Sequence, residues 1–317
     1  MKIVFAGTPQ SAVPSLDALC SAGYSPLAVL TQPDRRRGRG RHLVPSAVAI
    51  RAEELGIPLL KPEKASDPAF QDTWTTLAPD LLVVVAYGQI FTDAFLNVPV
   101  HGAINLHFSL LPAHRGASPI QAAILAGEES TGVTVFRLVR RLDAGPMLAQ
   151  QKVAIAQKEN AGELESRLAE LGGKLLAECL PRFEMNSLSW VDQDEERATI
   201  CRTLVKSQGR IPWGEEASFL VRHIRAMTPW PGAFSELHQE GASPLRLIFL
   251  EAESEASGEV NRSEEVGRVL DTEGGALSIA TGSGFLRVFR VKPAGKRDMS
   301  VESFLRGRSV APGDRFR

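Results

Sequence analysis

Cysteine is scarce. Cys20, Cys179 and Cys201 are the only three in a chain of 317 residues, and no two of them form a CxxC pair. An odd number so widely spaced excludes a disulfide framework and fits a reducing compartment. Long apolar runs are missing as well: nothing approaches the roughly 20 residues that a membrane-crossing helix needs, so no membrane partner is expected. The formal net charge is only −1, which argues against a globally cationic nucleic-acid binder but leaves local patches open. The glycine fingerprint GxGxxG does not follow the first apolar stretch, where Gly7-Thr8-Pro9 stands instead. A dinucleotide reading therefore lacks its phosphate-binding glycines. His101, His107 and His114 form no metal-binding pair and have no cysteine partner, so no metal is expected. Met1-Lys2-Ile3-Val4-Phe5 runs straight into a strand-like segment, and the expectation is a cytoplasmic chain without a signal or transit peptide.

What is present is an ordinary globular composition, 44% hydrophobic and 23% charged, over a length that fits two domains. Segments 2–6, 27–31, 81–86 and 103–106 are short runs of Val, Ile, Leu and Ala that read as buried strands. Helix-like stretches around 11–22, 45–55 and 67–77 alternate with them. That alternation predicts an α/β, doubly wound, Rossmann-like fold with a mainly parallel sheet, whose ligands bind at the carboxyl ends of the strands. A helix over 161–181 closes this part, and 186–202 is polar and poorly periodic, as a linker is. Beyond it a helix at 215–227 precedes short strands at 245–250, 277–280 and 286–291, separated by glycine-rich turns, which predicts a small β-barrel of OB-like character. The Glu- and Ser-rich stretch 251–265 reads as a solvated hairpin loop. The expected division is a catalytic domain over 1–189, a linker over 190–208 and a carboxy-terminal barrel over 209–317.

Chemistry gathers at 103–112, AINLHFSLLP. Asn105 and His107 stand two apart at the end of a strand-like run, so both side chains point to one side. Asn105 can donate to a developing oxyanion, His107 can donate or exchange a proton, and Asp143, in a Leu-Asp-Ala-Gly turn, can orient the histidine or manage a proton. Asn-x-His by itself fits a satisfied structural histidine equally well. Residues 83–90, VVVAYGQI, combine a core strand with a pocket wall at Ala86, Tyr87 and Gly88, where backbone amides can approach a flat ring. Two basic elements interrupt the neutral background. Arg35, Arg36, Arg37, Arg39 and Arg41 fall within seven positions around Gly38 and Gly40, a composition suited to a loop that orders on nucleic acid. The tail from Thr281 to Arg317 carries nine Lys or Arg against three acids, the footprint of a phosphate-contacting face.

Asn105-x-His107-x-Ser109-Leu110-Leu111-Pro112, Arg115-Gly116, Pro119-Ile120, Gly132-Val133-Thr134 and Leu142-Asp143-x-Gly145 together resemble the signature of the 10-formyltetrahydrofolate-dependent formyltransferases. The resemblance implies Asn105, His107 and Asp143 as the catalytic three. It implies Ser109, Leu110, Leu111 and Pro112, with Asp143 and the Ala86–Tyr87–Gly88 wall, as folate contacts, and 10-formyltetrahydrofolate as formyl donor. TQPDRRRGRG, Lys206 before Gly209-Arg210-Ile211, Pro229-Trp230-Pro231-Gly232 and Pro293-Ala294-Gly295-Lys296 resemble the tRNA-directed branch of that family. This implies formylation of initiator methionyl-tRNA, with tRNA contacts from Arg35, Arg36, Arg37, Arg39 and Arg41 and from Lys206 and Lys296; the tail's charge excess adds Lys292 and Arg297, and a monomer is expected. Two departures are visible: Phe108 where relatives often have glycine, and Val139-Arg140-Arg141 where they often carry an acidic and small-residue run.

Overall fold

A computed structural model describes residues 1–37, 42–255 and 265–317. The chain divides into two compact units: Met1–Pro119, Ser130–Ala154 and Glu165–Cys201 form the first, and Ile120–Glu129, Ile155–Leu164 and Arg202–Arg317 the second.

The first unit runs β1 (Ile3–Gly7), α1 (Val13–Ser21), β2 (Ala28–Leu30), β3 (Arg35–Arg37), β4 (His42–Val44), α2 (Ala47–Glu54), β5 (Leu59–Leu60), α3 (Pro68–Leu77), β6 (Leu81–Val85), α4 (Asp93–Leu96), β7 (Ala103–His107) and β8 (Arg115–Gly116). Helix α5 (Pro119–Ala126) falls, from Ile120 on, in the second unit; the first continues with β9 (Ser130–Arg137), β10 (Met147–Ala154), the long helix α6 (Ala161–Glu184) from Glu165 on and a short β11 (Ile200–Cys201). The main sheet has the order β10-β9-β7-β6-β1-β2-β5. β5, β2, β1, β6 and β7 are parallel neighbours, while β9 and β10 add antiparallel edges. All five residues of β1 and of β6 are buried, as strands covered on both faces must be.

Helix starts follow their capping residues. The Ser46 hydroxyl accepts from the Ala49 N–H at 2.9 Å to begin α2, and Asp67 caps α3 with Pro68 at its first position. Tyr87, Phe91, Phe95 and Trp74 stack in series, with Trp74 and Phe95 ring centres 4.3 Å apart, and anchor the chain beyond β6.

The second unit adds α7 (Ala217–Met227), β12 (Ala233–His238), β13 (Leu245–Glu255), β14 (Val269–Asp271), β15 (Leu277–Ala280), β16 (Phe285–Pro293), β17 (Met299–Ser300), α8 (Val301–Gly307) and β18 (Arg315–Phe316). Its antiparallel sheet has the order β14-β15-β16-β13-β12-β18. The two ends meet through the Phe316 N–H on Gly267 O at 2.7 Å and the Val269 N–H on Asp314 O at 2.8 Å, so the sheet is a nearly closed barrel. Trp213, Phe249 and Phe316 fill its core, and the Trp213 indole N–H donates to Ser235. Residues 251–255, read from sequence as part of a loop, instead prolong β13 against β16, because their alternating side chains suit a half-solvated strand.

Candidate active site

β7 sets two functional side chains by its pleat. Asn105 and His107 lie on one face, while Leu106 between them abuts Gly172 of α6 on the other. The Asn105 side-chain amide is half-buried and has no hydrogen-bond partner among the described residues. It is therefore free to serve a ligand. His107 is nearly fully buried, and its Nε2 lies 2.9 Å from the carbonyl oxygen of His114. A carbonyl only accepts, so Nε2 carries the proton. The other nitrogen, Nδ1, faces the Asp143 carboxylate at 3.8 Å. Burial pushes the His107 pKa below its ordinary 6.5, while Asp143 and the His114 carbonyl pull it back up in part. A neutral imidazole thus presents a lone pair at Nδ1 beside an anion, an arrangement that takes up a proton and then shares it.

Asp143 is held in a tight loop between β9 and β10, with its backbone at φ 46°. Its Oδ2 accepts from the Gly116 N–H at 2.8 Å. Behind it sits a polar group that sequence reading missed. Gln193 donates from Nε2 to the carbonyls of Asp143 at 2.8 Å and Gly145 at 2.7 Å, and its Oε1 accepts from Arg115 Nε and Nη2 at 3.0 and 2.8 Å. Arg115, 4% exposed, also pairs with Glu195 at 2.9 Å, and Glu195 binds Arg141 at 2.6 Å. Between these two guanidinium groups the Glu195 carboxyl is held down at about 2. Residues 193–201, expected as part of a linker, bond to the 139–145 loop, and β11 pairs in parallel with β8. Only Arg115 belonged to a recognisable motif. Gln193 and Glu195 lie in a polar stretch whose partners are 78 and 80 residues away, so no local signal marks them.

The Ser109–Leu110–Leu111–Pro112 turn is braced from within. Ser109 Oγ donates to Ala113 O at 2.6 Å, Thr134 Oγ1 donates to Ser109 O at 2.7 Å, and Thr134 Oγ1 in turn accepts from the Leu111 N–H at 3.1 Å. The Ser109 hydroxyl is buried and spent on its own turn, which leaves Leu110 and Pro112 as the partly exposed members. Phe108 is buried beside them.

Past β6 the backbone turns through positive φ at Ala86 (48°) and Gly88 (89°). The Tyr87 ring enters the aromatic core, where burial raises its hydroxyl pKa to about 12. What faces outward here is main chain: the Tyr87 carbonyl accepts from Thr8 Oγ1 at 2.8 Å and from Gln32 Nε2 at 3.3 Å. Ala86, Tyr87 and Gly88 line a cavity of about 320 Å³ together with Gln32, Arg35 and Ser46 at the carboxyl ends of β1, β2 and β6. Arg35 reaches Gln32 Oε1 at 3.2 Å, and Arg36 is exposed on the β3–β4 ribbon. Arg37 follows in β3, whereas Arg39 and Arg41 lie outside the described residues.

In the second unit Lys206 is exposed on a 3₁₀ turn, Lys206–Gly209. The cations of the tail sort themselves by pairing. Arg287 meets Glu255, Arg290 meets Asp298, and Arg306 meets Glu302. Lys292, Lys296 and Arg297 are exposed around the β16–β17 turn and have no ion pair among the described residues. Among the described residues no three His, Cys, Asp or Glu side chains gather to hold a metal ion, and no helix is long and apolar enough to cross a membrane.

A parallel sheet with Asn, His and Asp converging at its carboxyl edge, followed by a small barrel, defines a class of group-transfer enzymes. Residues 1–180 match the formyl transferase family and residues 203–309 its C-terminal domain, so the chain belongs to that family. It is 43% identical over 311 residues to the methionyl-tRNA formyltransferase of Methylococcus capsulatus, covering 98% of each chain. With that of Listeria innocua it shares 41% identity over 99% of each. Two solved structures share the fold: an N-formyltransferase from Helicobacter canadensis in complex with folinic acid and dTDP-3-aminofucose (TM-score 0.65, 16% identity, 91% of this chain and 98% of that one), and HypX from Aquifex aeolicus in complex with tetrahydrofolic acid (TM-score 0.63, 17% identity). The match covers 96% of this chain but spans only about half, 47%, of the HypX chain.

Proposed function

We propose that this chain transfers the formyl group of 10-formyltetrahydrofolate to the α-amino group of methionine on initiator methionyl-tRNA. The observation that carries the chemistry is the neutral, buried His107, whose Nδ1 faces Asp143 on the same strand face as a free Asn105 amide. The choice of tRNA as acceptor is supported by relatives of that activity matching over both units.

An α-amine has a pKa of about 8, so a useful fraction is neutral near pH 7. Its nitrogen attacks the formyl carbon, and a tetrahedral oxyanion forms. Asn105 donates to that oxygen. The new ammonium gives its proton to His107 Nδ1, directly or through a water, and Asp143 stabilises the imidazolium. Once protonated, His107 can also donate toward the oxyanion. The C–N bond to the folate then breaks, and the proton passes from His107 to the departing nitrogen. Residues 109–112 and the Ala86–Tyr87–Gly88 backbone flank the donor, and Asp143 contacts it as well. The arginines of residues 35–41 seat the acceptor end, and Lys206, Lys292, Lys296 and Arg297 hold phosphates. Residues 1–189 are assigned the chemistry and 209–317 the tRNA grip, in a cytoplasmic monomer.

The test is transfer of labelled formyl from 10-formyltetrahydrofolate. Label on N-formylmethionyl-tRNA, with little on free methionine or a nucleotide-linked amino sugar, is the expected result. Efficient labelling of the sugar with none on methionyl-tRNA would overturn the assignment of acceptor.

A further inference from the structure

We propose that Gln193, set by Arg115 and Glu195, is a positioning residue for the transfer: it clamps the backbone of the loop that carries Asp143, so that the carboxylate stays facing His107. This rests on the reading of His107 and Asp143 as the proton-handling pair.

The 139–145 loop is a poor candidate for rigidity on its own. It is short of regular structure, Leu142 is 59% exposed, and Asp143 sits in the left-handed backbone region that a non-glycine residue adopts at a cost. Arg140 makes only an exposed pair with Asp93 of α4, at 3.5 Å; the better buried restraints come from the strap at 193–195 and from β8. Gln193 spends both N–H bonds on the carbonyls of Asp143 and Gly145. Glu195 ties down the Arg141 side chain at the loop's entrance. The Gly116 N–H meets the carboxylate itself. Gln193 cannot rotate its amide, because Oε1 is fixed by two N–H groups of Arg115, a donor-only side chain. Arg115 is kept in place by its paired contacts with Glu195. The chain of constraint therefore runs Glu195 to Arg115 to Gln193 to the loop backbone, and among the described residues Gln193 makes no hydrogen bond to His107 or Asn105. Arg141, one of the departures from the family pattern, acquires a purpose here.

The informative variant is Gln193→Glu. It preserves size and still accepts from Arg115, but it replaces the two donors with an acceptor facing two carbonyls. Expected at saturating substrates is a kcat lower by about 10- to 100-fold, the scale of a misplacement near 1 Å, with both KM values within about threefold. The groups facing His107 are Asp143 and His114. Loss of the Asp143 influence lowers the His107 pKa, so the acidic limb of the kcat–pH profile moves to lower pH by about half a unit or more. Asp143→Asn moves the limb the same way, and Gln193→Glu in that background adds little further loss, because both act on one interaction. Glu195→Gln, a gentler change should Gln193→Glu not fold, slows kcat by about three- to tenfold with the same limb shift. If Asp143→Asn is slow while Gln193→Glu and Glu195→Gln keep a normal kcat and limb, the clamp is structural only and the proposal fails. If Asp143→Asn has a normal kcat and limb, the proton-handling reading fails and takes the proposal with it.

Discussion

At the scale of single residues, the site turns on which atom of His107 is left over. Its Nε2 proton goes to His114 O, so reactivity is confined to Nδ1 beside Asp143. His107→Ala and Asn105→Ala should each lower single-turnover formylation by about a hundred- to a thousandfold with folding intact, the cost of losing one well-placed polar partner. Near-normal rates in folded samples that still bind folate would remove both from the mechanism. The pH behaviour has a definite sign. Burial keeps the folded His107 pKa below the ordinary 6.5 that it regains on unfolding. The unfolded chain therefore binds the proton more readily, and stability falls as pH drops from 6.5 toward the folded value, with no contribution above 6.5. In His107→Gln that share of acid destabilisation is absent, so the loss of Tm between pH 7.5 and 5.5 should be about that much smaller than in the parent. An unchanged or larger loss would contradict a depressed pKa.

Secondary-structure elements turn these residue properties into geometry through close backbone approach. Gly116 sits in β8 at φ 122°, and any Cβ there would run into the carbonyl of Cys201 in β11. Gly116→Ala should therefore pry the strap off β8 and cost about 1–3 kcal/mol of stability, more if the Gly116 N–H on Asp143 is also lost, together with a sharp fall in kcat. Urea unfolding and turnover measured on the same sample check this, and a variant as stable and as active as the parent would show that the β8–β11 pairing is dispensable. The parallel strands were legible because fully apolar runs such as residues 81–85 have only one comfortable environment. Asn105 and His107 were legible because a pleat fixes where every second residue points. The strap was not. Gln193 and Glu195 are indistinguishable from solvated linker residues until the chain brings Arg115 to them. Nor do the motifs announce that the Ser109 hydroxyl is spent on its own turn and that the Tyr87 ring enters the core. Their orientation is decided by Ala113 and by the Phe91–Phe95–Trp74 stack, which only packing reveals.

For the whole molecule, near-zero net charge means that tRNA must be gripped by local excess, and the structure narrows where that excess is free. Of the tail cations, Arg287, Arg290 and Arg306 are occupied by carboxylates, while Lys292, Lys296 and Arg297 stand exposed near one turn. A side chain already paired releases few counterions when a phosphate arrives, so the unpaired three should dominate the salt response. Replacing all three with Gln is expected to weaken tRNA binding and reduce the slope of log K against log salt by about one for each phosphate left without its cation, up to about three. Replacing the paired arginines, Arg287, Arg290 and Arg306, should change that slope by less than about one, since each substitution also frees an acid. In both sets folate affinity and the rate at saturating methionyl-tRNA should hold, because Asn105, His107 and Asp143, to which the chemistry is assigned, all lie in the first unit. Filter binding at several salt concentrations decides between them. Equal slopes for the two triple variants would mean that tRNA approaches another face of the barrel.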